Sequence, residues 1–130
     1  MNQEERKGLI KLLLVDDEEA YVNVLANRMA KRSIEVTKAL SGTQGIQALR
    51  KEDFDVAVLD LKMEDMDGIE VLKVFKKMVP AMPVIMLTGH GSEQAAREGI
   101  ALGASDYLTK PCDLEELIEK IKGAIRSERA

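Results

Sequence analysis

The side chains with the most chemistry to offer stand at the ends of apolar runs. Asp55-Val56-Ala57-Val58-Leu59-Asp60 carries four apolar residues straight into an acid. A short run of this kind, rich in β-branched residues, suits a strand buried on both faces of a parallel sheet. Carboxylates are rarely buried there without a task. The residues that follow are polar and turn-forming: Lys62, Glu64, Asp65, Asp67 and Gly68. Asp60 therefore stands where the strand leaves the core. Leu9 to Val15 likewise ends in Asp16-Asp17-Glu18-Glu19, Pro83 to Leu87 ends at Thr88, and Ser105 to Thr109 ends at Lys110. Brought together, three carboxylates repel one another and call for a cation. Hard oxygen ligands with room for water suit Mg2+, or Mn2+, rather than zinc. His90 and Cys112, the single histidine and cysteine, would need further carboxylates to make a zinc site. Beside such a cation Lys110 can pair with a phosphoryl oxygen, the Thr88 hydroxyl can bond another, and Asp60 can attack phosphorus. The plainer readings are that Asp16 and Asp17 cap the first helix, that Thr88 caps the fourth, that Lys110 is a solvated surface lysine, and that Asp60 caps the helix after it, where Asp65 and Asp67 are better placed.

The elements between these residues must do the positioning. Tyr21, Val22, Leu25 and Met29 recur at helical spacing over 18–31. Ile34 to Ala39 alternates as a half-buried edge strand. Ser41 with Gln44 is a capping-box pattern before the stripe of Ile46 and Leu49. Ile69, Leu72, Phe75 and Met78 mark a third helix that stops before Pro80. A fourth, over 92–102, has a thin apolar face of Ala95, Ala96, Gly99 and Ile100, ends at Gly103, and is a candidate for movement. Asp113 with Glu116 opens a fifth helix striped by Leu114, Leu117, Ile118, Ile121 and Ile125. Five strands alternating with five helices predict right-handed crossovers and a covered parallel sheet. The common five-stranded order is 2-1-3-4-5, with the ligand at the switch point between strands 1 and 3. The fold class is thus α/β, a flavodoxin-like (βα)5 three-layer sandwich. In that order Asp16, Asp17 and Asp60 converge, and Thr88 and Lys110 end nearby.

The bulk composition narrows the field. A chain of 130 residues, 45% hydrophobic and 32% charged, suits one domain. Residues 1–8 read as a polar lead-in, 9–126 as the domain and 127–130 as a tail. A net charge of -4 and 3% aromatic residues argue against nucleic-acid binding. No apolar run approaches a membrane span, and no signal-type segment precedes the domain. A lone cysteine allows no internal disulfide and fits the cytoplasm.

The motifs together carry a resemblance. Val15-Asp16-Asp17-Glu18, Leu59-Asp60 with Met66-Asp67-Gly68, Leu87-Thr88-Gly89, and Gly103-Ala104-Ser105-Asp106-Tyr107-Leu108-Thr109-Lys110-Pro111 resemble the CheY-like receiver domain of two-component response regulators. The resemblance runs from Lys11 to about Ile125. It implies that Asp60 accepts a phosphoryl group from a sensor histidine kinase or phosphotransfer protein. It implies that Asp17 and Asp60 bind Mg2+ directly with the Lys62 carbonyl, while Asp16 acts mainly through a water. Thr88 and Lys110 would hold the phosphoryl group, Lys110-Pro111 would be a cis peptide, and Tyr107 would be the aromatic switch. It further implies an output surface within 92–125, met by a second copy or an effector domain. Such a protein is a signalling phosphoacceptor, promoting only its own phosphorylation and dephosphorylation. Glu64 departs from the pattern, where receivers usually carry proline; the change removes a rigid φ, adds charge, and should loosen the loop. Cys112 replaces a larger apolar residue and reads best as a small hydrophobe. His90, two residues after Thr88, is at a position that tunes phosphoryl lifetime in the family.

Three other functions compete. A haloacid-dehalogenase-like phosphatase would need a second acid at position 62, which is Lys62. A flavodoxin-like flavin carrier would need a phosphate loop where this chain has Asp16-Asp17-Glu18-Glu19. A phosphorylation-independent pseudo-receiver would not need the full set Asp16, Asp17, Asp60, Thr88 and Lys110. A free-standing regulator and a receiver from a larger protein both fit the sequence.

Overall fold

The computed structural model describes residues 8–89 and 91–129. Strands β1 (Ile10–Val15), β2 (Ile34–Ala39), β3 (Val56–Asp60), β4 (Val84–Thr88) and β5 (Asp106–Thr109) alternate with helices α1 (Glu19–Ala30), α2 (Gly42–Lys51), α3 (Gly68–Met78), α4 (Glu93–Ala101) and α5 (Leu114–Arg129). All neighbouring strands pair in parallel, in the order β2-β1-β3-β4-β5. The expected α/β sandwich is therefore the one formed.

Alternation of side chains across the sheet divides the core in two. Leu13 and Val15 of β1, Ala57 and Leu59 of β3, and Val84 and Met86 of β4 face Leu49 of α2 and Leu72 and Phe75 of α3. Leu12, Leu14, Val56, Val58, Ile85 and Leu87 face the other way, onto Val22, Leu25 and Met29 of α1 and Leu117, Ile118 and Ile121 of α5. Every residue of β3 and β4 is buried, as strands sandwiched between helices must be. Each fully buried Leu, Ile or Val side chain contributes about 1.5–3 kcal/mol.

Register carries the acids to one edge. Val15 pairs with Leu59, Asp60 with Leu87, and Thr88 with Thr109. The residues that follow β1 and β5, Asp16 and Lys110, thus stand beside the ends of β3 and β4. Gly68 allows α3 to start against β3: a Cβ there would lie 2.5 Å from the Leu61 Cα and 2.7 Å from its carbonyl oxygen.

Helix starts differ in detail from expectation. The Ser41 hydroxyl accepts from the Gln44 N–H (3.0 Å), but the Gln44 side chain accepts from the Leu40 N–H (2.8 Å), one residue before the cap. Asp67 caps α3 through the Ile69 N–H, 2.9 Å away. Ser92, not Thr88, stands before α4. On α4 only Ala96 and Gly99 are buried, and Ile100 is turned outward, 41% exposed. The last helix continues through Ser127 to Arg129, whose guanidinium donates to Asp55 at 2.6 Å. Among the described residues no helix is long and apolar enough to cross a membrane.

Candidate functional site

Asp16, Asp17 and Asp60 each offer an oxygen to one cluster, all three within 4.8 Å of one another. Residues 44 apart in the chain meet because β1 and β3 are neighbours in the sheet. Asp16 is fully buried and Asp60 is 4% exposed. One Asp16 oxygen accepts from the Glu18 N–H at 2.9 Å, and the other from the Lys110 ammonium at 2.7 Å. Asp16 therefore does not cap α1, whose N-cap residue is Glu18; it holds the turn before the helix and also binds Lys110.

Lys110 is not a solvated surface lysine. Its ammonium also lies 3.0 Å from Glu18, 3.6 Å from Asp60, and 4.7 Å above the Tyr21 ring. Burial lowers its pKa, but hydrogen bonds to Asp16 and Glu18 and the charges of Asp16 and Asp60 outweigh that and raise it. It stays charged. The adjoining Lys110-Pro111 peptide is cis.

Asp60 is the strained member electrostatically. Burial first, then the Asp16 charge, with a smaller push from Asp17, raises its carboxyl to about 6, against the opposing pull of Lys110 and the Lys62 N–H. The Lys62 N–H donates to Asp60 at 3.2 Å. One ammonium thus faces three clustered carboxylates and Glu18. That excess of oxygen donors and negative charge fits a small, hard dication.

Thr88 is buried, and its hydroxyl donates weakly to the Leu108 carbonyl, 3.4 Å away. Tyr107, the next residue back on β5, is partly buried against the face of the core that holds Met86 and Ala104. His90 lies outside the described residues.

Four features escaped the sequence reading. Glu18 reads there only as a first-turn acid, yet it binds Lys110. Tyr21 reads as part of an apolar stripe, yet its ring faces the ammonium and its hydroxyl lies 3.8 Å from the Cys112 sulfur. Burial, with Cys112 next, drives the Tyr21 hydroxyl pKa well above the ordinary phenol value. The Glu64 N–H, which a proline would lack, donates to Asp17 at 3.0 Å. Asp65 accepts from the Gly42 and Thr43 N–H groups and from the Thr43 hydroxyl. The loop expected to be loosened at Glu64 is tied at two points.

Comparison with known proteins yields concordant matches. A sequence model described as the response regulator receiver domain matches residues 12–122. The transcriptional regulatory protein GlrR of Escherichia coli K12 is 38% identical over 114 residues, which are 88% of this chain and 26% of that protein. The transcriptional regulatory protein ZraR of Salmonella typhimurium LT2 is 34% identical over 95% of this chain and 28% of its own length. This chain thus spans about a quarter of the length of those curated relatives. Among solved structures, a response regulator receiver domain protein from Clostridium thermocellum superposes with a TM-score of 0.89 at 33% identity, covering 93% of this chain and 98% of the other. NtrX from Brucella abortus superposes with a TM-score of 0.88 at 27% identity, over 93% of this chain and 28% of NtrX.

Proposed function

This chain belongs to the response regulator receiver family of two-component signalling, and on that premise we propose that Asp60 is its phosphoacceptor. The observation that carries the proposal is a nearly buried carboxylate at the end of a central strand, within 4.8 Å of two further acids and 3.6 Å from a fixed ammonium. The donor is a phosphohistidine on a sensor kinase or phosphotransfer protein. An Asp60 oxygen bonds to phosphorus as the phosphorus–nitrogen bond breaks, and the departing imidazole keeps the bonding electron pair and is protonated. The product is an acyl phosphate on Asp60.

Each neighbour has a part in this reading. Asp16, Asp17, Asp60 and the Lys62 carbonyl would hold Mg2+, with Asp16 acting mainly through a water. When bound, the ion offsets the negative charge of the carboxylates and of the incoming phosphoryl oxygens. Lys110 exchanges a carboxylate partner for a phosphoryl oxygen. The Thr88 hydroxyl gives up its long bond to Leu108 for a stronger acceptor. Tyr107 then moves with β5, and a surface within 92–125 meets a second receiver or an effector domain. His90 and Glu64 tune the lifetime of the phosphoryl group.

Acetyl phosphate with Mg2+ tests the assignment without a kinase. The wild-type chain should gain one phosphoryl group, released by hydroxylamine as an acyl phosphate is, and EDTA should abolish the gain. Unaltered labelling of Asp60→Asn overturns the choice of Asp60.

A further inference from the structure

Two sets of hydrogen bonds meet in the loop between β3 and α3, at consecutive residues. The Asp65 carboxylate takes the Gly42 N–H at 3.0 Å and both the N–H and hydroxyl of Thr43 at 3.1 Å. These are the first residues of α2. One residue earlier, the Glu64 N–H donates to the Asp17 carboxylate at 3.0 Å. Between these two anchor points lie only the φ and ψ of Glu64, the φ of Asp65 and the side-chain torsions of Asp65. Farther along, Lys62 and Asp67 form an antiparallel bridge that closes the loop at its base.

The anchor is itself rigid. Gly45 sits so near β1 that a Cβ would lie 3.0 Å from Val15 and 3.2 Å from Phe75, and Ser41 caps α2 independently of Asp65. The Gly42 N–H foremost, opposed by burial and helped by the Thr43 donors, holds the Asp65 carboxyl below its ordinary pKa. Asp17, by contrast, is only partly buried, and among the described residues its carboxylate accepts from the Glu64 N–H.

We propose that Asp65 is a positioning residue for the metal site: it latches the loop to α2 so that the Glu64 N–H holds the Asp17 carboxylate in place. This rests on the reading of Asp17 as a Mg2+ ligand. With one oxygen fixed, Asp17 need not be ordered when the ion arrives, and the affinity is higher for it. Freed of Asp65, the loop withdraws its donor and Asp17 turns toward solvent.

The competing explanation is charge: Asp65 would simply add to the acidic field. Two variants separate them. Asp65→Ala removes charge and both acceptors; Asp65→Asn removes the charge and keeps one acceptor oxygen, enough for the Gly42 N–H or for the Thr43 donors but not for both. The Glu64 amide is followed by hydrogen exchange in the metal-free protein, and Mg2+ affinity by titration of amide shifts. Asp65→Ala should abolish the protection of the Glu64 amide and weaken Mg2+ roughly three- to tenfold, the scale of a lost cap. Asp65→Asn should keep part of the Glu64 protection and weaken Mg2+ less than Asp65→Ala does. An unfolding midpoint near that of wild type in both variants shows that the fold persists, since Ser41 still caps α2. Unchanged Glu64 protection and Mg2+ affinity in Asp65→Ala, or equal weakening in both variants, overturns the positioning role. A wild-type chain that binds no Mg2+ overturns the metal site itself, whereas Glu64 protection reads the latch with no metal present.

Discussion

At the residue scale, Asp60 is held charged at neutral pH at a cost in stability. Its carboxyl rises from the ordinary 3.8 to about 6 in the fold, so folding favours its protonated form. The stability it contributes is full below about pH 4 and is lost as pH rises through 6. At pH 7, without metal, this leaves a cost on the order of 2–3 kcal/mol. Asp60→Asn should therefore be more stable than wild type at pH 7 in EDTA, by about 1–3 kcal/mol on the same reasoning. The gap should close towards pH 4 and narrow at pH 7 when Mg2+ is added. Urea unfolding of both chains at the two pH values checks this; a gap independent of pH would show that Asp60 is not charged at a cost. The sequence revealed Asp16, Asp17, Asp60 and Thr88 because each lies at or beside the end of an apolar run, and Lys110 because it closes the last short strand; parallel register does the rest. It did not reveal Glu18 or Tyr21 as partners of Lys110, because those contacts depend on where the lysine side chain returns across the sheet. Nor does any residue letter mark the Glu64 N–H as a donor to Asp17.

At the element scale, the strands were legible because burial on both faces leaves an uninterrupted apolar run. The helices were legible where one stripe is wide, as in α3 and α5, and less so in α4, where Ile100 belongs to the outside. The contact that seats α3 against β3 leaves only a glycine as its mark. Gly68→Ala offers a test whose sign separates two effects. By helix propensity alone, alanine should stabilise by about 1 kcal/mol. The new Cβ, however, meets the Leu61 backbone at 2.5 Å and the Asp60 carbonyl oxygen at 2.9 Å. Neither can yield as a flexible side chain would. A net loss on the order of 2–4 kcal/mol is expected, with amide shifts reaching Asp60 and Lys62. Chemical denaturation that finds the variant as stable as wild type would mean that α3 can move off β3 freely.

At the scale of the whole molecule, the proposed function requires that the site at one sheet edge be read at a surface some distance away. In that reading Thr88 joins the two, since its hydroxyl reaches the Leu108 carbonyl at 3.4 Å and a phosphoryl oxygen is the better acceptor. Tyr107 is the neighbour of Leu108 on β5, and α4, which packs on β4, buries little, so α4 can shift at small cost. Beryllofluoride with Mg2+ should move amide resonances through 92–108 in wild type, including Tyr107, and Thr88→Ala should confine the changes to the acidic cluster. Shifts spreading equally far in that variant would place the route elsewhere. All of this depends on phosphorylation at one carboxylate, and that is measured most directly by locating the adduct. The chain is treated with acetyl phosphate and Mg2+, reduced with borohydride to convert the acyl phosphate to an alcohol, digested and sequenced by mass spectrometry. The modification should fall on Asp60 alone and be absent from Asp60→Asn; its appearance on Asp16, Asp17 or another residue of the wild-type chain, with Asp60 untouched, would contradict the account.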